Sequence, residues 1–170
     1  MPDSVFWQAL WVIIEATILG AAVWAWRSRR AMHVGRIAAG ALFLVGGALF
    51  NALNLATGGD YGDFADGSYI PFVRDMWESL VASRQWFFIP LLVVFEAAVG
   101  VLLFSGGRKT QLGYVAAIAF HVALMLFGWI FYPASIAMIL SFGLLLRAER
   151  KWAAGSVVVS VRPAAHRGAA

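Results

Sequence analysis

Cysteine is absent from this chain of 170 residues, and charged side chains make up only 13% of it. The lack of cysteine excludes disulfide bonds, cysteine nucleophiles and thiolate metal sites. Ordinary soluble domains are about 25% charged, so this chain has too little polar surface to cover a water-soluble globule. Together these two absences exclude a soluble enzyme and a disordered chain.

Hydrophobic residues make up 62% of the chain and fall into long runs. About 20 consecutive apolar residues are enough to cross a bilayer as a helix. The last run, Leu112 to Leu146, is nearly twice that length, and we divide it at Tyr132-Pro133 because proline disfavours a continuous helix. The sequence therefore predicts an all-α integral membrane bundle of five transmembrane helices, over about residues 5–26, 37–56, 86–104, 112–131 and 134–147.

Most of the basic residues lie in three of the connections of this arrangement. They follow the first, third and fifth spans, at Arg27, Arg29, Arg30, Arg36, Arg108, Lys109, Arg147, Arg150 and Lys151. The positive-inside rule assigns such segments to the cytoplasm. This predicts a multi-pass protein of the plasma (inner) membrane with the N-terminus outside and the C-terminus in the cytoplasm. Since the positive charges lie beside spans, the lipid bilayer and not nucleic acid is the expected partner.

The connection 57–85 is predicted to lie outside the cell. From Pro71 onward its apolar residues recur at helical spacing, which predicts an amphipathic helix over 71–84 on the outer surface. Such a helix either packs on the helix ends as a lid, or docks a protein partner or gates a substrate. Residues 152–170 are rich in small residues and are predicted to form a disordered cytoplasmic tail.

Three ionisable residues interrupt the predicted spans, namely Glu15, Glu96 and His121. Each costs roughly 2.5–3.5 kcal/mol in hydrocarbon on insertion scales, so such residues seldom face lipid. At the rise of an α-helix they lie ~13–15 Å from the start of their spans, which is near the midplane of a core about 30 Å thick. Small and polar residues share their helical faces, and Asn51 and Asn54 form part of the same pattern on the second span. We therefore expect these residues to face a shared centre.

Four interpretations of this centre remain open. It is a closed hydrogen-bond network that fixes the packing, a site for a quinone or another small molecule, a proton or ion path, or a metal or haem site. The last is disfavoured, because a single intramembrane histidine cannot supply both axial ligands of a haem. The catalytic candidates are Glu96, His121 and Glu15, since a buried carboxyl and imidazole can exchange protons near neutral pH. The binding candidates are Asn51, Asn54 and His121, with a quinone as the one cofactor considered and no metal expected.

From Gly35 onward the pattern resembles the DoxX-like superfamily, which includes DoxX- and MauE-type proteins. The resemblance rests on the stretch from Gly35-Arg36 to Gly46-Gly47, on Phe95-Glu96 through Gly100, and on Gly106-Gly107-Arg108. It covers about two thirds of the chain, and bundles with vitamin-K-carboxylase-like transmembrane segments are similar as well. The additional N-terminal span and the acidic outer loop depart from the family pattern. The resemblance implies a four-helix unit formed by spans two to five, and it singles out Glu96.

By this resemblance the protein is expected to be an accessory subunit of a membrane-associated redox or maturation system, without a catalytic cycle of its own. The alternatives are a quinone- or small-molecule-binding oxidoreductase subunit and a small proton-coupled transporter. A quinone site would need an opening to lipid beside His121, and a transporter would need an aqueous cavity that reaches the shared centre. An accessory subunit would show an apolar patch on the outer helix, over Phe72–Ser83, within the possible protein-docking region 57–85.

Overall fold

A computed structural model describes residues 4–160, and every regular element within that range is helical. Five of its helices are long and apolar enough to cross a membrane, which confirms the all-α class and the predicted number of helices of spanning length. They are the first helix Ser4–Ala25, the second Arg29–Ala56, the third Pro71–Ser105, the fourth Gly107–Phe127 and the fifth Tyr132–Ser160.

The five helices close into a ring. Each packs on the next one along the chain, and the fifth returns to the first and also touches the second. Large apolar side chains cover the outside of the ring; Val12, Val94 and Leu140 are each more than 60% exposed. An exposed apolar surface of this extent is typical of a protein that contacts lipid or other apolar partners.

One end of the ring, which we call the basic end, is solidly packed. The first, third and fifth helices finish there and the second and fourth begin there, so Arg27, Arg108 and Arg147 all lie at this end. Tyr114, Phe142 and Leu145 fill its centre and are fully buried. The packing there holds the helices together through close van der Waals contacts.

The last turns of the fifth helix tie the first helix in place at the basic end. Lys151 Nζ donates a hydrogen bond to the carbonyl oxygen of Trp26 at 2.8 Å and lies over the ring of Trp26. Trp152 Nε1 donates to the carbonyl oxygen of Ala25 at 3.2 Å. The prediction of a disordered tail from residue 152 is therefore corrected, since the helix continues to Ser160; positions 161–170 lie outside the described residues.

The second helix is not α-helical throughout. Its first part, Arg29–Ala41, begins eight residues before the predicted boundary, with Ser28 accepting a hydrogen bond from the Ala31 amide as its N-cap. Leu42–Leu49 is then π-helical, and Phe50–Ala56 is α-helical again. A π-helical stretch within an α-helix is rare and is frequently found at functional sites.

The predicted amphipathic helix over 71–84 is helical but is not a separate element. Pro71–Met76 is α-helical and Trp77–Val81 is π-helical, and after a short 3-10 turn the chain enters the α-helix Gln85–Ser105. The apolar face also differs from the prediction, because Phe72 and Met76 are exposed instead of covering the bundle. This segment is therefore the outer extension of the third helix.

The predicted break at Tyr132-Pro133 is wrong, because the chain turns four residues earlier, at Gly128. Gly128 has φ 130° and ψ 171°, a conformation that is essentially confined to glycine. Pro133 lies in the first turn of the fifth helix, where its missing N–H costs no hydrogen bond. The turn depends on a close approach to the outer loop, since a Cβ at position 128 would overlap the carbonyl group of Gly67.

We predict that Gly128→Ala destabilises the protein by about 1–3 kcal/mol, because alanine is strained at this φ and also meets the Gly67 carbonyl. Gly143→Ala is the matched control. That glycine lies within the fifth helix with open space around its Cβ position, and alanine favours a helix. Thermal unfolding in detergent measures both variants. Equal midpoints for Gly128→Ala and the wild type would contradict this account of the turn.

Candidate functional site

The opposite end of the ring, which we call the loop end, contains a cavity of about 800 Å³. All five helices and the connection between the second and third helices contribute to its wall. Its volume lies within the roughly 300–1,000 Å³ typical of small-molecule sites. Its wall is mostly apolar and aromatic, and it includes each of the residues that the sequence singled out, namely Glu15, Asn51, Asn54, Glu96 and His121.

The π-helical stretch of the second helix makes room for the most deeply buried carboxyl group of this wall. Glu96 projects from the third helix toward Gly47 and is 4% exposed. A Cβ at position 47 would lie 2.7 Å from the carboxyl carbon, so any larger residue there would displace the Glu96 carboxyl group from its present position. One helical turn later, Asn51 Nδ2 donates a hydrogen bond to Glu96 Oε2 at 2.9 Å. Glu96 Oε1 accepts no hydrogen bond from the part of the chain that the structure describes.

A chain of hydrogen bonds connects this pair to the outer loop. The Tyr61 hydroxyl donates to Asn51, whose carbonyl oxygen and Oδ1 are both 3.2 Å away. Trp77 Nε1 donates in turn to the carbonyl oxygen of Tyr61 at 2.7 Å. Burial raises the pKa of the Tyr61 hydroxyl, so at neutral pH this group remains protonated and able to donate. The loop is thereby fixed over the cavity by the same asparagine that binds Glu96.

His121 lies in the cavity wall on the fourth helix and is 7% exposed. Its Nδ1 is 2.9 Å from the carbonyl oxygen of Ala117. Since a carbonyl oxygen can only accept, Nδ1 carries the proton in the neutral ring and Nε2 is left as an acceptor. The edges and faces of Phe43, Phe120 and Phe142 surround the imidazole at centroid distances of 5.4–6.0 Å.

Glu15 and Asn54 complete the set of predicted residues. Glu15 is half-buried on the first helix, and Asn54 is half-buried beneath the turn at Gly59. Within residues 4–160, no hydrogen bond or ion pair joins Glu15, Glu96 and His121 to one another. The structure thus brings Glu96 and Asn51 into direct contact, and it places His121 and Glu15 elsewhere in the wall of the same cavity.

An aromatic cluster lies at the mouth of the cavity and was not predicted from the sequence. Phe64 from the loop packs against Trp77, Phe127 and Phe131 at centroid distances of 4.9–5.3 Å. Asp60 and Asp63, both exposed, lie in the wall beside this cluster. The helical spacing of Trp77 on its amphipathic segment is the one sequence feature that points to this cluster. The contacts of Trp77 with Phe64 and Tyr61 depend on the fold of the loop.

Comparisons with protein-family models, with curated proteins and with solved structures found no match for this chain. Within the described residues, no group of three or more His, Cys, Asp or Glu side chains is placed to hold a metal ion. The cavity and the polar groups in its wall are therefore the features that bear on function.

We predict that Asn51→Leu destabilises the protein by about 1–3 kcal/mol, because the buried Glu96 carboxyl loses its donor. Adding Glu96→Leu should restore part of the lost stability, since replacing both partners of a buried hydrogen bond costs less than leaving one partner without a hydrogen bond. Thermal unfolding of the two single variants and of the double variant completes this double-mutant cycle. A fully stable Asn51→Leu, or strictly additive losses, would show that the two side chains are not coupled.

Proposed function

We propose that the protein spans the plasma membrane five times, with the basic end in the cytoplasm and the loop end outside. The distribution of charge supports this orientation. Arg27, Arg108, Lys109 and Arg147 adjoin the basic end, whereas Asp60, Asp63 and Asp66 occupy the loop end. The N-terminus is then outside and the cavity opens away from the cytoplasm.

Single cysteines test this orientation cleanly because the chain has none of its own. Asp66 and Lys109 are both exposed and lie at opposite ends of the bundle. In cells with an intact plasma membrane, a membrane-impermeant maleimide should label Asp66→Cys and leave Lys109→Cys unlabelled until the cells are permeabilised. The reverse labelling pattern would show that the protein has the opposite orientation in the membrane.

We further propose that the protein binds a small, mostly apolar molecule in the loop-end cavity. The observation that carries this proposal is the Glu96–Asn51 pair in the wall of a cavity of about 800 Å³. Ligand sites are commonly apolar pockets with a few placed polar groups, and ionisable residues within spans commonly mark functional pathways. If the pair served packing alone, close-packed side chains would be expected around it, as they are around Tyr114 and Phe142 at the basic end.

A second candidate is the accessory subunit that the DoxX-like resemblance implies. Exposed apolar side chains at the start of the outer segment favour it, since Tyr69 and Phe72 are 71% and 70% exposed and Ile70 is 43% exposed. Such a surface suits a protein partner of a redox or maturation system. The two candidates are compatible, because a subunit that holds a ligand can also dock on a partner.

The binding proposal predicts that a neutral adamantyl diazirine labels the cavity wall when the protein is irradiated in detergent. Peptide mass spectrometry should place the label on Trp77, Leu92 or Leu124, which line the cavity. Ala134→Phe should remove most of this labelling, because the larger side chain occupies the cavity from its wall.

Ala123→Phe is the matched control, since Ala123 is exposed on the fourth helix and does not line the cavity. Its labelling should equal that of the wild type. Label found only on the outer faces of the helices, or equal loss in both variants, would overturn the proposal.

A further inference from the structure

The charges that line the cavity all have the same sign. Within residues 4–160, four carboxyl groups lie in its wall, those of Glu15, Asp60, Asp63 and Glu96, and no lysine or arginine does. This is contrary to the composition of the whole chain, in which 13 basic residues outnumber 9 acidic ones. The cavity is therefore an acidic site in a basic protein.

These four carboxyl groups have no partner of opposite charge. Within residues 4–160 the only ion pair joins Arg36 to Glu149 at the basic end, with 3.8 Å between Nη1 and Oε1. Glu96 is nonetheless 4% exposed, and its Oε1 atom accepts no hydrogen bond there. A buried carboxylate is costly unless it is paired with a positive charge. A cation in the cavity would supply that positive charge.

Two of the inner polar groups have donors that are already in use. Asn51 donates to Glu96, and His121 donates from Nδ1 to Ala117, which leaves Nε2 as an acceptor. Asn54 and Ser135 bring further donors to the wall and suit a carbonyl headgroup, but such a headgroup would leave the Glu96 carboxylate without a positive charge. An ammonium group presents N–H donors and a positive charge, so it matches both the carboxylates and the imidazole.

The aromatic cluster at the mouth suits the same ligand. Phe64, Trp77 and Phe127 lie within 4.9–5.1 Å of one another by ring centroid and border the cavity. Aromatic faces attract organic cations, and tryptophan does so most strongly. A ligand with an apolar body and a cationic head would therefore be attracted at the mouth and neutralised deeper in, at Glu96.

We propose that the ligand of this cavity is a lipophilic organic cation, an amine whose ammonium group lies against Glu96 and whose apolar body contacts the aromatic wall. This inference rests on the proposed binding function and narrows it to one class of ligand. It also assigns Glu15 a role, as a second carboxyl in the cavity wall that favours a positive charge within the cavity.

Three adamantane derivatives of nearly equal size test this inference, namely 1-adamantylammonium, 1-adamantanol and 1-adamantanecarboxylate. Each competes with the neutral diazirine for labelling of the cavity wall, in a non-ionic detergent. The ammonium compound should protect the wall at a concentration at least about tenfold lower than either of the others. Glu96→Gln should lose this preference, measured against its own labelling without competitor, because the amide keeps the shape of the side chain without its charge.

Glu78→Gln is the matched control, since Glu78 is exposed on the outer segment and does not line the cavity. It should keep the full preference, and Glu15→Gln, a second cavity variant, should lower it. Equal protection by the three compounds, or a preference unchanged in both Glu96→Gln and Glu15→Gln, would overturn the cation inference and leave the binding function intact. Failure of the diazirine to label the wild-type wall would overturn both.

Discussion

The hydrogen bond from Asn51 to Glu96 is the interaction on which the loop end of the bundle depends. A carboxyl group at this depth in an apolar bundle needs a donor, and a hydrogen bond to a charged group contributes about 1.5–3 kcal/mol. The bond at 2.9 Å requires that the second and third helices approach closely, which Gly47 permits. It also fixes Asn51 in the position where Tyr61 donates to it, so the outer loop is ordered by the same contact.

The two ends of the ring of helices differ in how they are packed. At the basic end Tyr114, Phe142 and Leu145 fill the centre, and Lys151 ties the fifth helix to the first. At the loop end the helices surround a cavity of about 800 Å³. Stability can thus come from one half while the other half remains open, and transport across the bundle would require the packed half to rearrange.

The fold was largely predictable, because apolar runs of spanning length leave few alternatives to a helix. The inward orientation of Glu96, His121 and Asn51 was predictable as well, since polar and small residues shared their helical faces. The position of the turn before the fifth helix was not. Proline disfavours the interior of a helix, which predicts a break at Pro133, but the first turn of a helix tolerates proline. The conformation of Gly128 depends on its contact with Gly67, which is far away in the sequence.

The contacts at the mouth of the cavity also join distant parts of the sequence and were not predictable from it. Periodicity placed Trp77 on the apolar face of its segment, but its hydrogen bond to Tyr61 and its packing on Phe64 arise only when the loop folds back over the bundle. The acidic character of the site was likewise hidden. Asp60 and Asp63 are distant in sequence from Glu15 and Glu96, and only the closed ring gathers them into one wall.

The most direct test of the central claim is an electron cryomicroscopy map of the protein extracted together with its native lipids. The account predicts non-protein density within the ring, bounded by Glu96, His121 and Trp77, with Asn51 still within hydrogen-bond distance of Glu96. Side chains from facing helices in van der Waals contact across that space, or a Glu96 carboxyl directed outward at lipid, would contradict it.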